Sequence, residues 1–187
     1  MKIKVKDISI ISTGIYTKTS AVGDVYYLQA RDFDEQRKLK VGLNPNISGS
    51  NSVSKHLLQK GNLLIAAKAG DFFAAVYHDE VTPAVASSMF LVLREVKQQV
   101  ILPQFLAWQI NHPKVQKQLT AGAKGTNLLS INKSTVGELE LLVPTMDKQK
   151  AILHFEQLRN RERQLSDRIT ALKDKVIDQK ILNALTK

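Results

Sequence analysis

Few side chains in this sequence could do chemistry. Histidine occurs at His56, His78, His112 and His154, and no two stand four residues apart as a helical metal pair would. His78-Asp79-Glu80 is the tightest titratable group, but it follows an apolar run and reads as a solvated turn after a strand. Without cysteine this chain has no thiolate nucleophile, no disulfide and no Cys-ligated zinc. Gly61 and Gly70 are too far apart for a phosphate-cradling loop, and no Gly-Lys-Ser/Thr accompanies them. Metal-assisted cleavage of nucleic acid calls for clustered carboxylates beside a lysine. Gly61-Asn62 and Lys68 supply the lysine without the carboxylates. Asn44-Pro45-Asn46 does not make the Asn/Asp-Pro-Pro-aromatic tetrad of a methyltransferase. The sequence therefore predicts no catalytic residue, no metal ligand and no cofactor held by this chain.

Polar groups suited to reading DNA are more plentiful. Arg and Lys match guanine edges and phosphates, and Asn and Gln match adenine. The candidates are Lys18, Arg31, Lys38, Lys40, Asn44, Asn51, Ser52, Lys68, Lys124, Thr126 and Asn127, with Asn46, Ser50 and Lys55 beside them. All fall on predicted loops. Tyr16 and Phe72-Phe73 could stack on bases, although the two phenylalanines read more readily as core.

The elements that must position these residues can be read from periodicity. Residues 1–11 alternate as an entering strand or a short helix beside one, and Ser12-Thr13-Gly14 is a turn. Residues 25–29, 63–67, 72–77 and 89–94 read as strands. Residues 30–39 are a polar excursion, and residues 42–54 are a Gly/Asn/Ser loop. Pro103 and Pro113 open two short helices, the second ending at Gly122. Leu139, Leu141 and Val143 alternate with polar neighbours in a last strand that stops at Pro144. Short strands between polar loops predict a compact, partly closed sheet. From about residue 147 to 185 a charged stretch free of Gly and Pro predicts one long helix, with Thr145 or Asp147 at its start. At 1.5 Å per residue it would run roughly 58 Å. Leu158, Leu165, Ile169, Leu172 and Val176 form a narrow apolar stripe that wants a partner helix. The expected class is α+β: a mixed, largely antiparallel β-rich domain at 1–145 and a coiled-coil helix at 146–187.

Charge points to a polyanion. The 187 residues carry a formal charge of +10, which suggests nucleic acid first and surface solubility second. The start, MKIKVKDISIIS, lacks a signal-peptide pattern, and no apolar run nears the ~20 residues of a bilayer span. A cytoplasmic protein without membrane contact is expected.

Taken in order, several stretches resemble the specificity subunit of type I restriction–modification systems. Residues 25–32, VYYLQARD, are similar to that family's strand-then-Asp entry. Gly61-Asn62-Leu63-Leu64-Ile65-Ala66 resembles its Gly-Asp-apolar strand, with Asn62 for Asp. Leu102-Pro103-Gln104-Phe105-Leu106 resembles the helix after the sheet, and residues 128–136 with 139–144 resemble the close of a target recognition domain. Residues 147–152, DKQKAI, resemble the signature opening the spacer helix, with Lys148 for Glu and Thr145 for a second Pro. Full subunits of the family have two recognition domains and two spacer helices, so this chain resembles a half subunit.

The resemblance implies a non-catalytic reader of double-stranded DNA. It implies a homodimer through the long helix, with Leu158, Leu165, Ile169, Leu172 and Val176 as an antiparallel seam, reading a bipartite symmetric site. A rod of roughly 58 Å would span about 17 base pairs. Methyl transfer from S-adenosylmethionine would fall to a partner DNA methyltransferase subunit, and any cleavage to a restriction subunit. Two other classes compete: a stand-alone enzyme that modifies or cuts nucleic acid, and a coiled-coil adaptor.

Overall fold

The computed structural model describes residues 1–68, 72–125 and 129–185. They fall into two units, Met1–Gln149 and Lys150–Lys187. The first opens with β1 (Lys2–Lys4), α1 (Val5–Ile8) and β2 (Ile10–Thr13). Next come β3 (Tyr26–Leu28), a 3-10 turn at Ala30–Asp32 and α2 (Asn51–Ser54). Then follow β4 (Leu63–Ala66), β5 (Ala74–Val76), β6 (Ala84–Ala86) and β7 (Phe90–Arg94). The last elements are α3 (Pro103–Asn111), α4 (Pro113–Ala121), α5 (Lys133–Gly137), β8 (Glu140–Leu142) and α6 (Met146–Leu185). This is the α+β class expected.

Among the described residues the strands do not join into one partly closed sheet. The described strands form three sheets: β1 with β8, a four-stranded sheet ordered β2-β7-β4-β5, and β3 with β6. The last pair is parallel, and all others are antiparallel. β6 is Ala-Val-Ala inside a Pro/Ser-rich stretch, which is why it carries no strand signal in the sequence. Residues 42–54 are not all loop, since Ser50 Oγ accepts the Val53 amide and caps α2, whose Val53 is buried. The strand expected at 72–77 is shorter, spanning Ala74–Val76, and Asn111 bonds the outer edge of its first residue. The Asn111 amide donates to Ala74 O and accepts from Ala74 N, both at 2.8 Å. A side-chain amide thus satisfies part of an edge strand.

Packing follows the period of two. Along β3, Leu28 faces a core with Leu64, Phe90 and Val92 of the four-stranded sheet. Tyr27 faces the other way, into a smaller core with Ile47, Val53 and Val85. β4 is buried at every position, as its unbroken apolar run requires. Phe72 is buried, and Phe73 sits edge-on to Phe90 and tilted against Phe33. These two rings are core rather than stacking platforms. Leu139, Leu141 and Val143 are all buried, while Glu138, Glu140 and Leu142 face out.

Two polar groups hold the loops. Arg94 ends β7 and donates to His56 O at 2.9 Å, Leu57 O at 2.8 Å, Ser12 Oγ at 3.1 Å and Asn62 Oδ1 at 3.4 Å. Burial lowers its pKa from the ordinary value. Asn62 also accepts the Gln59 amide at 3.0 Å. A neutral amide at that position serves as an acceptor for a turn and a guanidinium.

Gln149, in the second turn of α6, is fully buried. Its Oε1 accepts the Leu102 amide at 2.9 Å, and its Nε2 donates to Val100 O at 2.9 Å and Pro144 O at 3.0 Å. Every polar capacity it turns inward is met except a second lone pair. Replacing it with Ala would leave one amide and two carbonyls buried without partners. Gln149→Ala should lower unfolding stability by about 2–4 kcal/mol in urea titration.

At β1–β8, Glu138 accepts from Lys4 Nζ at 2.7 Å and from Lys6 Nζ. These two bonds bring its carboxyl down from 4.5 to about 2. A carboxylate depressed in the folded state contributes stability above its unfolded value, and that contribution fades as pH falls through the folded one. The urea midpoint of Glu138→Gln should therefore lie below wild type at pH 7. The gap should close between pH 4.5 and about 2.

Within the second unit, the rest of α6 is a continuous helix. Leu158, Leu165, Ile169, Leu172 and Val176 are 45–56% exposed. Among the described residues no helix is long and apolar enough to cross a membrane.

Candidate nucleic-acid interface

The first unit carries an open groove of about 660 Å³. Three separate stretches build it: residues 16–19, 29–31 and 87–89, with Tyr27 behind them. None are neighbours in sequence. The parallel pairing of β3 with β6 brings the last two together, since the Ser87 amide continues that pairing by donating to Leu28 O at 2.9 Å.

The first stretch arrives through Gly14. There the chain leaves β2 and crosses the end of β6, with the Ile15 amide donating to Ala86 O at 2.9 Å. A Cβ on Gly14 would stand 2.1 Å from Ser87 O and 2.5 Å from Ala86 O. At that distance any side chain would force the backbone of β6 to shift, so the crossing favours glycine. Tyr27 Oη then fixes the crossing by donating to Ile15 O at 2.9 Å.

The second stretch is a capped 3-10 turn. Asp32 Oδ2 accepts the Gln29 amide at 2.7 Å, and the Gln29 side chain accepts in return from the Asp32 amide. The acid of the strand-then-Asp stretch, Asp32, is thus a turn-former beside Arg31. Lys40 Nζ donates to Arg31 O at 2.7 Å and joins the same rim.

Lys18 and Arg31 both line the groove and both are exposed. Tyr16 is 82% exposed beside them. On the floor lies Ser87, only 2% exposed, whose Oγ has no hydrogen-bond partner within the protein. That hydroxyl is itself closed off from solvent, so the groove floor holds a buried polar group that the protein leaves unmet. Cations at the rim and an exposed ring beside them suit a strand of nucleic acid.

The other candidates form further groups. Lys68 and Lys124 both pair across Ser130 through isolated bridges, so two exposed lysines flank one residue. Asn51 and Ser52 are exposed on the first turn of α2, and Lys55 closes it. Asn44 is exposed, as is Lys38, whose amide donates to Asp34 Oδ1. Asn46 is committed to structure, accepting the Tyr27 amide at 2.9 Å, and Ser50 is spent on its cap. Thr126 and Asn127 lie outside the described residues. Ser87 and Gln29 also line the groove, and neither stands out in the sequence as a site residue. The one signal for Ser87 is a Ser-Ser pair between two apolar runs, which is weak. His78 and Glu80 only close a local turn through the His78 amide. Among the described residues no group of three or more His, Asp or Glu could hold a metal ion.

An α+β domain with a long helix and a basic groove defines a recognition module. The pattern of the type I restriction modification DNA specificity domain matches residues 1–171, and the chain belongs to that family. DNA specificity rather than catalysis is the role of this family.

The fold is shared with solved structures. The type I restriction–modification S subunit from M. genitalium superposes with a TM-score of 0.61 at 13% identity, over 86% of this chain and 39% of that one. The HsdS subunit from Thermoanaerobacter tengcongensis gives 0.62 at 17%, over 88% and 43%. A structure described as the basis of complex assembly and conformational transition of the type I R-M system gives 0.70 at 18%, over 93% and 46%. This chain thus spans less than half the length of each. No curated protein matches its sequence significantly.

Gly14→Ala should cost about 1–3 kcal/mol, since two backbone carbonyls must shift. The same displacement should change the environment of Tyr16 in near-ultraviolet circular dichroism. An unchanged spectrum with wild-type stability would refute the close-approach account of this crossing.

Proposed function

We propose that this chain reads the sequence of double-stranded DNA and directs the methyltransferase subunit of a type I restriction–modification system. The groove carries the reading: Lys18 and Arg31 at its rim and the exposed Tyr16 beside them. The Lys68–Lys124 pair at Ser130 adds a second set of phosphate contacts. Phosphate contacts give affinity and register, and contacts to base edges give selectivity. Methyl transfer from S-adenosylmethionine belongs to the partner subunit and cleavage to a restriction subunit.

The long helix supplies the second half of the site. At 1.5 Å per residue, its 40 residues run about 60 Å. Paired with an antiparallel helix that carries another recognition unit, it would set the spacing of two half-sites. Two copies of this chain crossing near Asp167 would place Leu158 against Val176 and Leu165 against Ile169. That is the homodimer the sequence leads one to expect, and any antiparallel helix with a matching apolar face fits the same stripe.

The test is fluorescence anisotropy with a randomised duplex pool and with genomic sites recovered by methylome sequencing, each with the methyltransferase subunit present. Replacing Lys18 and Arg31 together by Ala should weaken binding and reduce the slope of log affinity against log salt by about 2. If one of them touches a base edge, preference among sites should also relax. A double variant with wild-type affinity and slope would remove the groove from the interface. Methyl transfer or cleavage by the isolated chain, given magnesium and S-adenosylmethionine, would overturn the non-catalytic reading.

A further inference from the structure

In α6 a heptad repeat runs from Phe155 to Val176. Phe155, Ile169 and Val176 take the a positions, and Leu158, Leu165 and Leu172 take the d positions. All six are 45–73% exposed. An apolar seam left uncovered in this chain needs an occupant.

The flanks of the seam say which one. Positions e hold Arg159, Lys173 and Lys180, and positions g hold Arg161, Arg168 and Lys175. No acid stands at e or g. Glu156, Asp167, Asp174 and Asp178 all lie on the outer b, c and f positions. Glu156 is engaged there with Arg159 at 3.7 Å, one turn along the same helix. Apart from Glu162, which interrupts the seam at an a position, and Arg163 at an outer b position, the signs are segregated: cations on the flanks of the seam, anions on the outer face.

Two copies of this chain cannot pair without opposing like charges. In the antiparallel arrangement centred near Asp167, Arg159 meets Lys173 of the second copy, Arg161 meets its Lys175, and Arg168 meets its own image. In the parallel arrangement Arg168 meets Lys173 and Lys175 meets Lys180, while Glu162 stacks on itself at an a position. Antiparallel pairing lets Glu162 reach a lysine of the other copy, which offsets only part of the repulsion. Flanking charges of this kind select the partner of a coiled coil.

We propose that the occupant of this seam is a helix of different sequence whose e and g positions are acidic, and that charge discourages two copies of this chain from pairing. The inference rests on the reading of α6 as a pairing helix. Duplex DNA is the other ligand basic flanks could take, but it offers nothing to cover six apolar side chains. Each flank contact changes affinity by roughly 1.5- to 2-fold in either direction. Six flanking cations whose contacts turn from repulsive to attractive thus multiply to upwards of about 100-fold, of which at least about 30-fold should survive imperfect geometry.

The experiment titrates the labelled full chain with two synthetic 35-residue helices. They share one Leu/Ile seam, and one has Glu at every e and g position where the other has Lys. At 50 mM NaCl the Glu-flanked helix should bind at least about 30-fold tighter, with the gap narrowing several-fold at 500 mM. By sedimentation, self-association of the chain should be weaker at 50 mM than at 500 mM. Equal affinity for the two helices, a submicromolar dimer at 50 mM that the Glu-flanked helix fails to split, or displacement of that helix by a short duplex would each overturn the proposal. Leu165→Asp with Ile169→Asp separates the two layers of inference. If that variant still binds the Glu-flanked helix unchanged, the seam itself is misplaced and the pairing reading falls with it. If binding needs the seam but ignores flank charge, only the charge assignment is lost.

Discussion

The carboxamide of Gln149 is the constraint on which the layout of the chain turns. It is fully buried, so each polar atom must find a partner or cost desolvation energy. It meets that need by gripping the loop before α3, at Val100 and Leu102, and the carbonyl of Pro144 just ahead of α6. The opening of the long helix is thereby built into the compact unit, which ends at Gln149 and not at the residue before the helix. The chain start closes at the same place. The Met1 ammonium donates to Val143 O at 3.2 Å, and the Val143 amide donates to Met1 O at 2.8 Å. β1 and β8 continue this pairing inward, so contacts about 140 residues apart in sequence seal the domain immediately beside its helix.

The groove shows the same economy of means. Its backbone is fixed by features that carry no sequence information about DNA: a glycine crossing, a parallel pair of three-residue strands and a capping box. The exposed side chains on that frame are free to change. Lys18, Arg31 and Tyr16 are exposed, whereas Gly14, Tyr27, Gln29 and Asp32 make the contacts that hold the frame. A recognition domain requires this separation, because specificity can then vary while the frame persists.

How much of this is legible in sequence depends on the range of the interaction. The alternation of Leu139, Leu141 and Val143 is local, and the structure buries those three residues. The helix from Met146 to Leu185 is legible for the same reason, through its 3.6-residue period and lack of Gly and Pro. The strand Ala84–Ala86 is not, because alanine has no strand preference and its partner β3 lies more than 50 residues away. Lys18 and Arg31 are each visible as basic loop residues. Their shared groove is invisible, since it depends on the Gly14 crossing and on that parallel pair. Gln149 falls within a recognisable signature, yet nothing local marks it as buried, and only the carbonyls it meets give the reason. Among the polar candidates, Asn46 and Ser50 resemble the others in sequence and differ only in having backbone groups to satisfy.

Both parts of the chain are basic, and the two roles answer to salt in opposite senses. Residues 146–187 hold ten Lys or Arg against six acids, and most of that excess flanks the seam. Contacts to phosphate release counterions and weaken as salt rises. Contacts between like-charged flanks strengthen as salt rises, because screening removes the repulsion. If two copies of this chain were the working pair, conditions that favour DNA binding would disfavour the pair, and the assembly would work against itself at low salt. An acid-flanked partner removes the conflict, since its attraction to the cationic flanks and the attraction of the groove to phosphate both grow as salt falls. The placement of Glu156, Asp167, Asp174 and Asp178 on the outer face fits that arrangement, because it keeps anions out of the flanks where they would repel an acidic partner.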